Sequence, residues 1–313
     1  MAIFLDDAQV TGLLDMASCL RALEEAFREK AEGEGANLPR RRLPLRGKRF
    51  MIMAGSLSRK GYLASKSYGV AKGQDTLLYK AGEGLVAFIR SGRLGQVRTG
   101  AASGIATRFM ARKDASRLGC FGTGHQAETQ IQAICEVRKL ESIHVYGRDA
   151  QKRKSFAKKM TELLKQEVRP VDSPAEAVKG RDIVVTMTNS ADPVFDGKLL
   201  EPGTHINAAG ANTRVNRELD EVAVTRAGLI ATDDIEGAKL ECGDLSWPVD
   251  RGLIAWEKVY DLAPIVAGLM PGRRSEDEIT LFESQGIGLE DVAAAALVYE
   301  RATERRIGVA LPF

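Results

Sequence analysis

Arg117-Leu-Gly-Cys-Phe-Gly-Thr-Gly-His-Gln-Ala127 opens with a short apolar run, Leu118 to Phe121, that stops at Gly122-Thr-Gly124. Beyond it, Ile131, Ile134, Cys135 and Leu140 recur at helical spacing. The stretch therefore reads as strand, glycine turn, helix. The glycines allow a tight turn and a close backbone approach to a pyrophosphate, towards which the helix start would direct its N–H groups and positive dipole end. A small residue, Ala127, lets that helix lie against its strand. The G-x-G-x-x-A spacing is weak alone, because 31 glycines in 313 residues produce it by chance and an ordinary strand-to-helix turn would look the same. Its context gives it weight.

That context is a run of alternating β and α patterns. Strands are expected at 118–122, 142–146, 168–171, 182–187, 205–209 and 229–232, and helices at 126–139, 149–166, 173–180 and 214–226. Ser173-Pro-Ala-Glu176 supplies a capping serine, a proline at the first helical position and a glutamate at the third. Such alternation predicts an α/β Rossmann-type, doubly wound parallel sheet over 114–285.

The flanks read differently. Val10, Leu13, Leu14, Ala17, Leu20, Leu23 and Phe27 predict one or two helices over 7–31. Residues 38–98 read as β, with a hairpin from 76–79 to 85–89 and a last short strand at Gln96-Val-Arg98. Thr99 would cap a helix over 100–111. A long amphipathic helix over 286–304 (Ile287, Leu289, Val292, Ala296) follows the sixth strand and is expected to return to the first domain. The expected division is a β-rich α+β substrate and dimerisation domain, 1–113 with 286–313, and the dinucleotide domain, 114–285.

Net charge is only +3 and the basic residues are dispersed, so neither nucleic acid nor an anionic membrane is implied as a partner. Apolar runs fall short of a membrane span, and the N-terminus turns acidic at Asp6-Asp7, unlike a signal peptide; a cytoplasmic protein is expected. The four cysteines, Cys19, Cys120, Cys135 and Cys242, and the three histidines have no ligand spacing, so no metal site is expected.

The second strand of a dinucleotide fold ordinarily ends in a carboxylate for the ribose hydroxyls. Here it ends Val145-Tyr-Gly147-Arg148-Asp149, with Lys152, Arg153 and Lys154 following. Arg148 suits a 2′-phosphate, which an acid would repel, so NADP is expected, with NAD as the alternative. The plainer reading is a solvated helix start capped by Asp149.

Several stretches together resemble the ornithine cyclodeaminase / mu-crystallin family. Arg98-Thr-Gly-Ala-Ala-Ser103 is similar to its R-T-x-A-A-S signature, and Gly122-Thr-Gly-His-Gln-Ala127 to its G-x-G-x-Q-A. Asp196 to Gly210 resembles the approach to its substrate loop, and Asp277 to Gly286 its late nicotinamide-side loop. The resemblance implies a homodimer formed through the β-rich region, with the active site in the cleft between the two domains. It places the substrate-carboxylate arginines at Arg40 and Arg98, where Arg41 and Arg42 adjoin the first, and the active-site lysine at Lys66. With the glycine turn and Arg148 read above, cofactor contacts are expected at Thr99, Gly122, Thr123, Gly124, His125, Gln126, Arg148, Thr188 and Ser284. An arginine pair can capture an α-carboxylate bidentately, and a lysine can move a proton beside the reacting C–N bond.

One position departs from the family. Its cyclodeaminases carry an aspartate in the loop after the fifth strand, where this chain has Asn212. An amide can hydrogen-bond an imine but takes no proton at neutral pH. Reduction of a preformed imine needs a clamped carboxylate, a proton donor and a hydride, and Asn212 is compatible with that. The expected activity is therefore an NAD(P)-dependent oxidoreductase at the α-carbon of an amino acid or its cyclic imine, a ketimine reductase or amino-acid dehydrogenase. The alternatives are a cyclodeaminase lyase, with a base drawn from Asp233, Asp234, Glu236, Glu241 or Asp244, and a cofactor-binding protein with little chemistry.

Overall fold

The protein is described by a computed structural model covering residues 2–70 and 73–312. The chain forms two compact units: Met1–Ala102 with Gly286–Phe313, and Ser103–Gln285.

The first unit begins with β1 (Ile3–Leu5), α1 (Asp7–Leu13) and α2 (Met16–Ala31). Two helices form because each has its own cap: Asp6 accepts from Gln9 N–H, and Asp15 from Ser18 N–H, both at 2.8 Å. Then follow β2 (Gly35–Leu45), β3 (Lys48–Leu57), β4 (Tyr62–Tyr68), β5 (Gln74–Lys80) and β6 (Gly84–Arg90). The expected strand at 96–98 and the Thr99 cap are not found. Helix α3 (Gly92–Met110) starts eight residues earlier than expected and runs through both. Its first turn is held from a distance, by the Asp7 carboxylate accepting Arg93 N–H at 2.8 Å, so no local cap marks the start. Thr99 lies mid-helix and its hydroxyl donates to Gly95 O.

The second unit carries β7 (Arg117–Phe121), α4 (His125–Val137), β8 (Ser142–Tyr146), α5 (Ala150–Leu164), β9 (Val168–Pro170), α6 (Pro174–Val178), β10 (Ile183–Thr186) and β11 (His205–Ala208). After these come α7 (Glu221–Arg226), β12 (Leu229–Thr232), α8 (Ile235–Glu241), α9 (Gly243–Asp250), β13 (Val259–Asp261), α10 (Leu262–Val266) and β14 (Thr280–Glu283). Its sheet runs β13-β12-β14-β11-β10-β7-β8-β9, and every pairing among the described residues is parallel. Both faces are covered. Phe121, Val184 and Ile206 pack on one side, and Leu118, Cys120 and Val185 pack with Ile131 and Ile134 of α4 on the other. The chain winds outward through β8 and β9, then returns to β10 on the opposite side of β7. That reversal between β7 and β10 is where an open parallel sheet leaves a crevice beyond its strand ends.

Two strands exceed the expected six. One, β14, sits centrally between β12 and β11, although its four buried residues come from the stretch read as a late loop. The expected helix over 214–226 is confined to α7, because Asp220 caps it through Ala223 N–H and the preceding residues form a loop.

The chain then returns to the first unit as α11 (Gly288–Arg305) and β15 (Val309–Ala310). These complete a seven-stranded sheet, β15-β1-β6-β5-β4-β3-β2. Helix α11 packs across β3 and β4 and against α2. A Cβ on Gly55 of β3 would lie 2.5 Å from Gly288 C, so backbone meets backbone at the start of α11. No helix among the described residues is long and apolar enough to cross a membrane.

Candidate active site

A pocket of about 770 Å³ opens in the second unit at the ends of β7, β8 and β10. It brings together Gly122, Thr123, Gly124, His125, Gln126, Arg148 and Thr188. Gly122 has φ +113°, and a Cβ there would stand 2.2 Å from Met187 O; only glycine lets this turn close on the end of β10. Gly124 caps α4 without a side-chain hydrogen bond, and a Cβ on it would meet nothing within 4 Å. The first amides of α4 thus border open space. Gln126 Oε1 is buried without a hydrogen-bond partner among the described residues. An uncapped helix start, a glycine turn and a buried acceptor fit a dinucleotide with its pyrophosphate at α4.

At the mouth, Arg148 and Lys152 line the pocket. Asp149 caps α5 through Gln151 and Lys152 N–H, and Arg153 donates to Gly147 O and pairs with Asp172, so of the basic run 152–154 Lys152 alone faces the pocket. Thr99 and Ser284 do not line it. Ser284, just after β14, is buried and donates to Asp233 Oδ2 at 3.3 Å.

The other predicted residues lie in the first unit, around α11. Lys66 occupies an inward position of β4, where its Nζ donates to Asp291 Oδ1 at 3.1 Å. Arg98, on α3, donates through Nε to the same oxygen at 3.0 Å and through Nη1 to Glu290 Oε2 at 2.8 Å. Arg40 Nη2 donates to Gly286 O at 3.1 Å. A register shift between Leu38 and Arg41 in β2 sets Pro39 and Arg40 opposite one residue, Met53. Proline cannot donate to a sheet ladder, and this bulge turns Arg40 inward, leaving Arg41 exposed and Arg42 half-buried.

All five charged side chains are buried. Burial, with Arg98 and Arg40 nearby, pulls Lys66 down to about 8 against the attraction of Asp291. For Arg98 burial acts the same way, but Asp291 and Glu290 outweigh it and hold the guanidinium protonated. Burial opposes ionisation of Asp291, yet Arg98 and Lys66 keep it below the usual carboxylate range. Lys66, Arg98 and Arg40 thus gather with Asp291 and Glu290 around the start of α11. Glu290 and Asp291 escaped the sequence reading, since acids in a helix's first turn look like ordinary dipole partners. Their signal is their place between Leu289 and Val292 on an apolar face.

Asn212 is exposed in the loop after β11. The candidate substitute acids serve the backbone instead: Asp233 accepts from Gln285 N–H, Asp234 caps α8 through Gly237 N–H, and Asp244 accepts from Glu218 and Leu219 N–H. Glu236 pairs with Lys239 and Glu241 is buried; none of the five lines the dinucleotide pocket.

Comparison with known proteins agrees with this chemistry. A Delta(1)-pyrroline-2-carboxylate reductase of Bacillus cereus is 36% identical over 236 residues, 75% of this chain and 72% of that protein. An alanine dehydrogenase of Archaeoglobus fulgidus is 32% identical over 324 residues, covering 99% of this chain and 98% of that one. The structure of Thermococcus litoralis Delta(1)-pyrroline-2-carboxylate reductase, in complex with NADH and L-proline, superposes with a TM-score of 0.94 at 33% identity, covering 99% of this chain and 100% of the other. The profile of the ornithine cyclodeaminase/mu-crystallin family matches residues 2–306, and the chain belongs to that family.

Proposed function

We propose that this protein is an NADP-preferring reductase of cyclic imino acids, able to run in reverse as an amino-acid dehydrogenase. The observation that carries the reading is the buried Lys66–Asp291–Arg98 cluster, with Arg40 beside it. Reduction of C=N adds a hydride to carbon and a proton to nitrogen. Arg40 and Arg98 hold the substrate carboxylate. The Nε and Nη1 of Arg98 are engaged by Asp291 and Glu290, so its Nη2 edge takes the substrate. Lys66, with a proton affinity near neutrality, gives the proton to nitrogen and takes it back in the reverse direction. Asn212 accepts a hydrogen bond from the nitrogen without competing for that proton. When bound, the nicotinamide supplies the hydride.

Arg148 just after β8, where Gly147 replaces an acid, and Lys152 in the first turn of α5 support NADP. The Thermococcus litoralis relative was solved with NADH; the reading of NADP rests on Arg148 and Lys152 of this chain. The outer face of the first unit's sheet exposes Leu38, Leu43, Leu45 and Leu63, which supports assembly as a homodimer through that face.

The test is to supply Δ1-pyrroline-2-carboxylate and its six-membered homologue with NADPH or NADH and follow the nicotinamide absorbance. Ornithine with NAD is assayed separately for ammonia. NADPH oxidation without ammonia supports the reductase. Ammonia release with no net change in NAD overturns it in favour of the lyase.

A further inference from the structure

Glu218 belongs to no predicted site and is not among the residues lining the dinucleotide pocket, yet it is wholly buried beneath that pocket's wall. Its Oε1 accepts Thr188 N–H at 2.6 Å. Its Oε2 accepts Gly210 N–H at 2.8 Å and the Thr186 hydroxyl at 2.9 Å. Its own carbonyl accepts Val194 N–H at 2.8 Å. Thr188, Val194 and Gly210 all line the pocket, and Thr188 and Gly210 follow the ends of the adjacent strands β10 and β11. Gly210 is drawn in so closely that a Cβ there would stand 2.3 Å from Thr188 O and 2.6 Å from Glu218 Oε2. Glu218 is fixed in turn, since Asp244 Oδ1 accepts the N–H groups of Glu218 and Leu219, each at 2.7 Å.

We propose that Glu218 is a positioning residue for the dinucleotide, tying the turns after β10 and β11 together so that Thr188 and Gly210 present one fixed wall to the cofactor. This rests on the reading of that pocket as the dinucleotide site. The tie needs an acceptor at both oxygens, because a donor approaches from each side. A glutamine supplies one acceptor and one N–H₂ group, so whichever way its amide turns, one backbone N–H faces a donor and its turn is released.

The test compares the parent with Glu218→Gln and with Thr186→Val, which keeps the side-chain shape, lies outside the pocket and removes one of the three donors. Dissociation constants for NADPH and NADH are measured by nicotinamide fluorescence, alongside KM, kcat and Tm. Glu218→Gln should weaken dinucleotide binding about ten-fold or more, as expected when a bond to a charged acceptor is lost. Its kcat at saturating cofactor and its imino-acid KM should change little. Thr186→Val should show a smaller loss in the same parameter and is the deciding variant if Glu218→Gln does not fold. Lower Tm with unchanged dinucleotide affinity would reduce Glu218 to a structural role and overturn the proposal. No dinucleotide binding by the folded parent would overturn the pocket's assignment itself, a separate and distinguishable failure.

Discussion

Lys66 gives the sharpest expectation at the scale of one residue. With its ammonium at about 8, a reduction that needs the protonated form should lose kcat/KM as pH rises through about 8, and amine oxidation should gain over the same interval. Replacing Asp291 by Asn removes the charge that holds the proton on Lys66, so the alkaline limb should move to lower pH. A pH–rate profile unmoved in Asp291→Asn would remove Lys66 as the proton donor. At the cofactor end, Arg148→Ala should raise the NADPH KM by roughly ten-fold to a hundred-fold, the worth of a charge-assisted bond, and leave the NADH KM nearly unchanged. Equal losses with both cofactors would show that Arg148 does not read a 2′-phosphate. Little of this cluster is legible in the sequence. Motif position suggests Lys66 and Arg98, and the choice among Arg40, Arg41 and Arg42 depends on a bulge that Pro39 only hints at. The pairing of Lys66 with Asp291 spans 225 positions, a distance no local pattern records.

At the scale of elements, period and caps carry most of the information. Strands β7, β8, β10, β11 and β12 fall within a residue or two of their expected places because they are apolar runs bounded by turn residues. The failures share a cause. Helix α3 starts where a remote side chain caps it, and β14, in a stretch that reads as a loop, is a strand through its parallel pairing with β11 and β12. This gives a test. Asp7→Ala should cost about 1 kcal/mol, the usual worth of an N-cap, though Asp7 lies 86 positions from the amide it serves. Urea denaturation measures it, and no loss would mean that the first turn of α3 is held by packing alone. Glycine acts at this scale too, since Gly55 in β3 permits the contact that seats Glu290 and Asp291 over Lys66 and Arg98.

For the whole molecule, assembly and pH stability are the properties at issue. If the outer leucines of the first unit form a homodimer interface, Leu43→Arg should yield monomer by light scattering; an unchanged mass would place the interface elsewhere. The pH dependence of folding sets two buried groups against each other. Burial brings His205 down to about 3 from an ordinary 6.5, so between those values the unfolded chain binds the extra proton and stability rises with pH. Burial, reinforced by Glu218, brings Asp244 up to about 7 from 3.8, so there the folded chain binds the extra proton and stability falls as pH rises. From about pH 4 to 6.5 the two nearly cancel. Asn mimics the protonated Asp244 and keeps an oxygen for the Glu218 and Leu219 amides, so Asp244→Asn should fold and lose the fall in stability that Asp244 contributes. Its stability relative to the parent should climb with pH across that window, by at most about 1.4 kcal/mol per pH unit, the limit for one proton. Above pH 7 the climb should stop. Parallel curves for parent and variant between pH 4 and 7 would mean that Asp244 is ionised throughout.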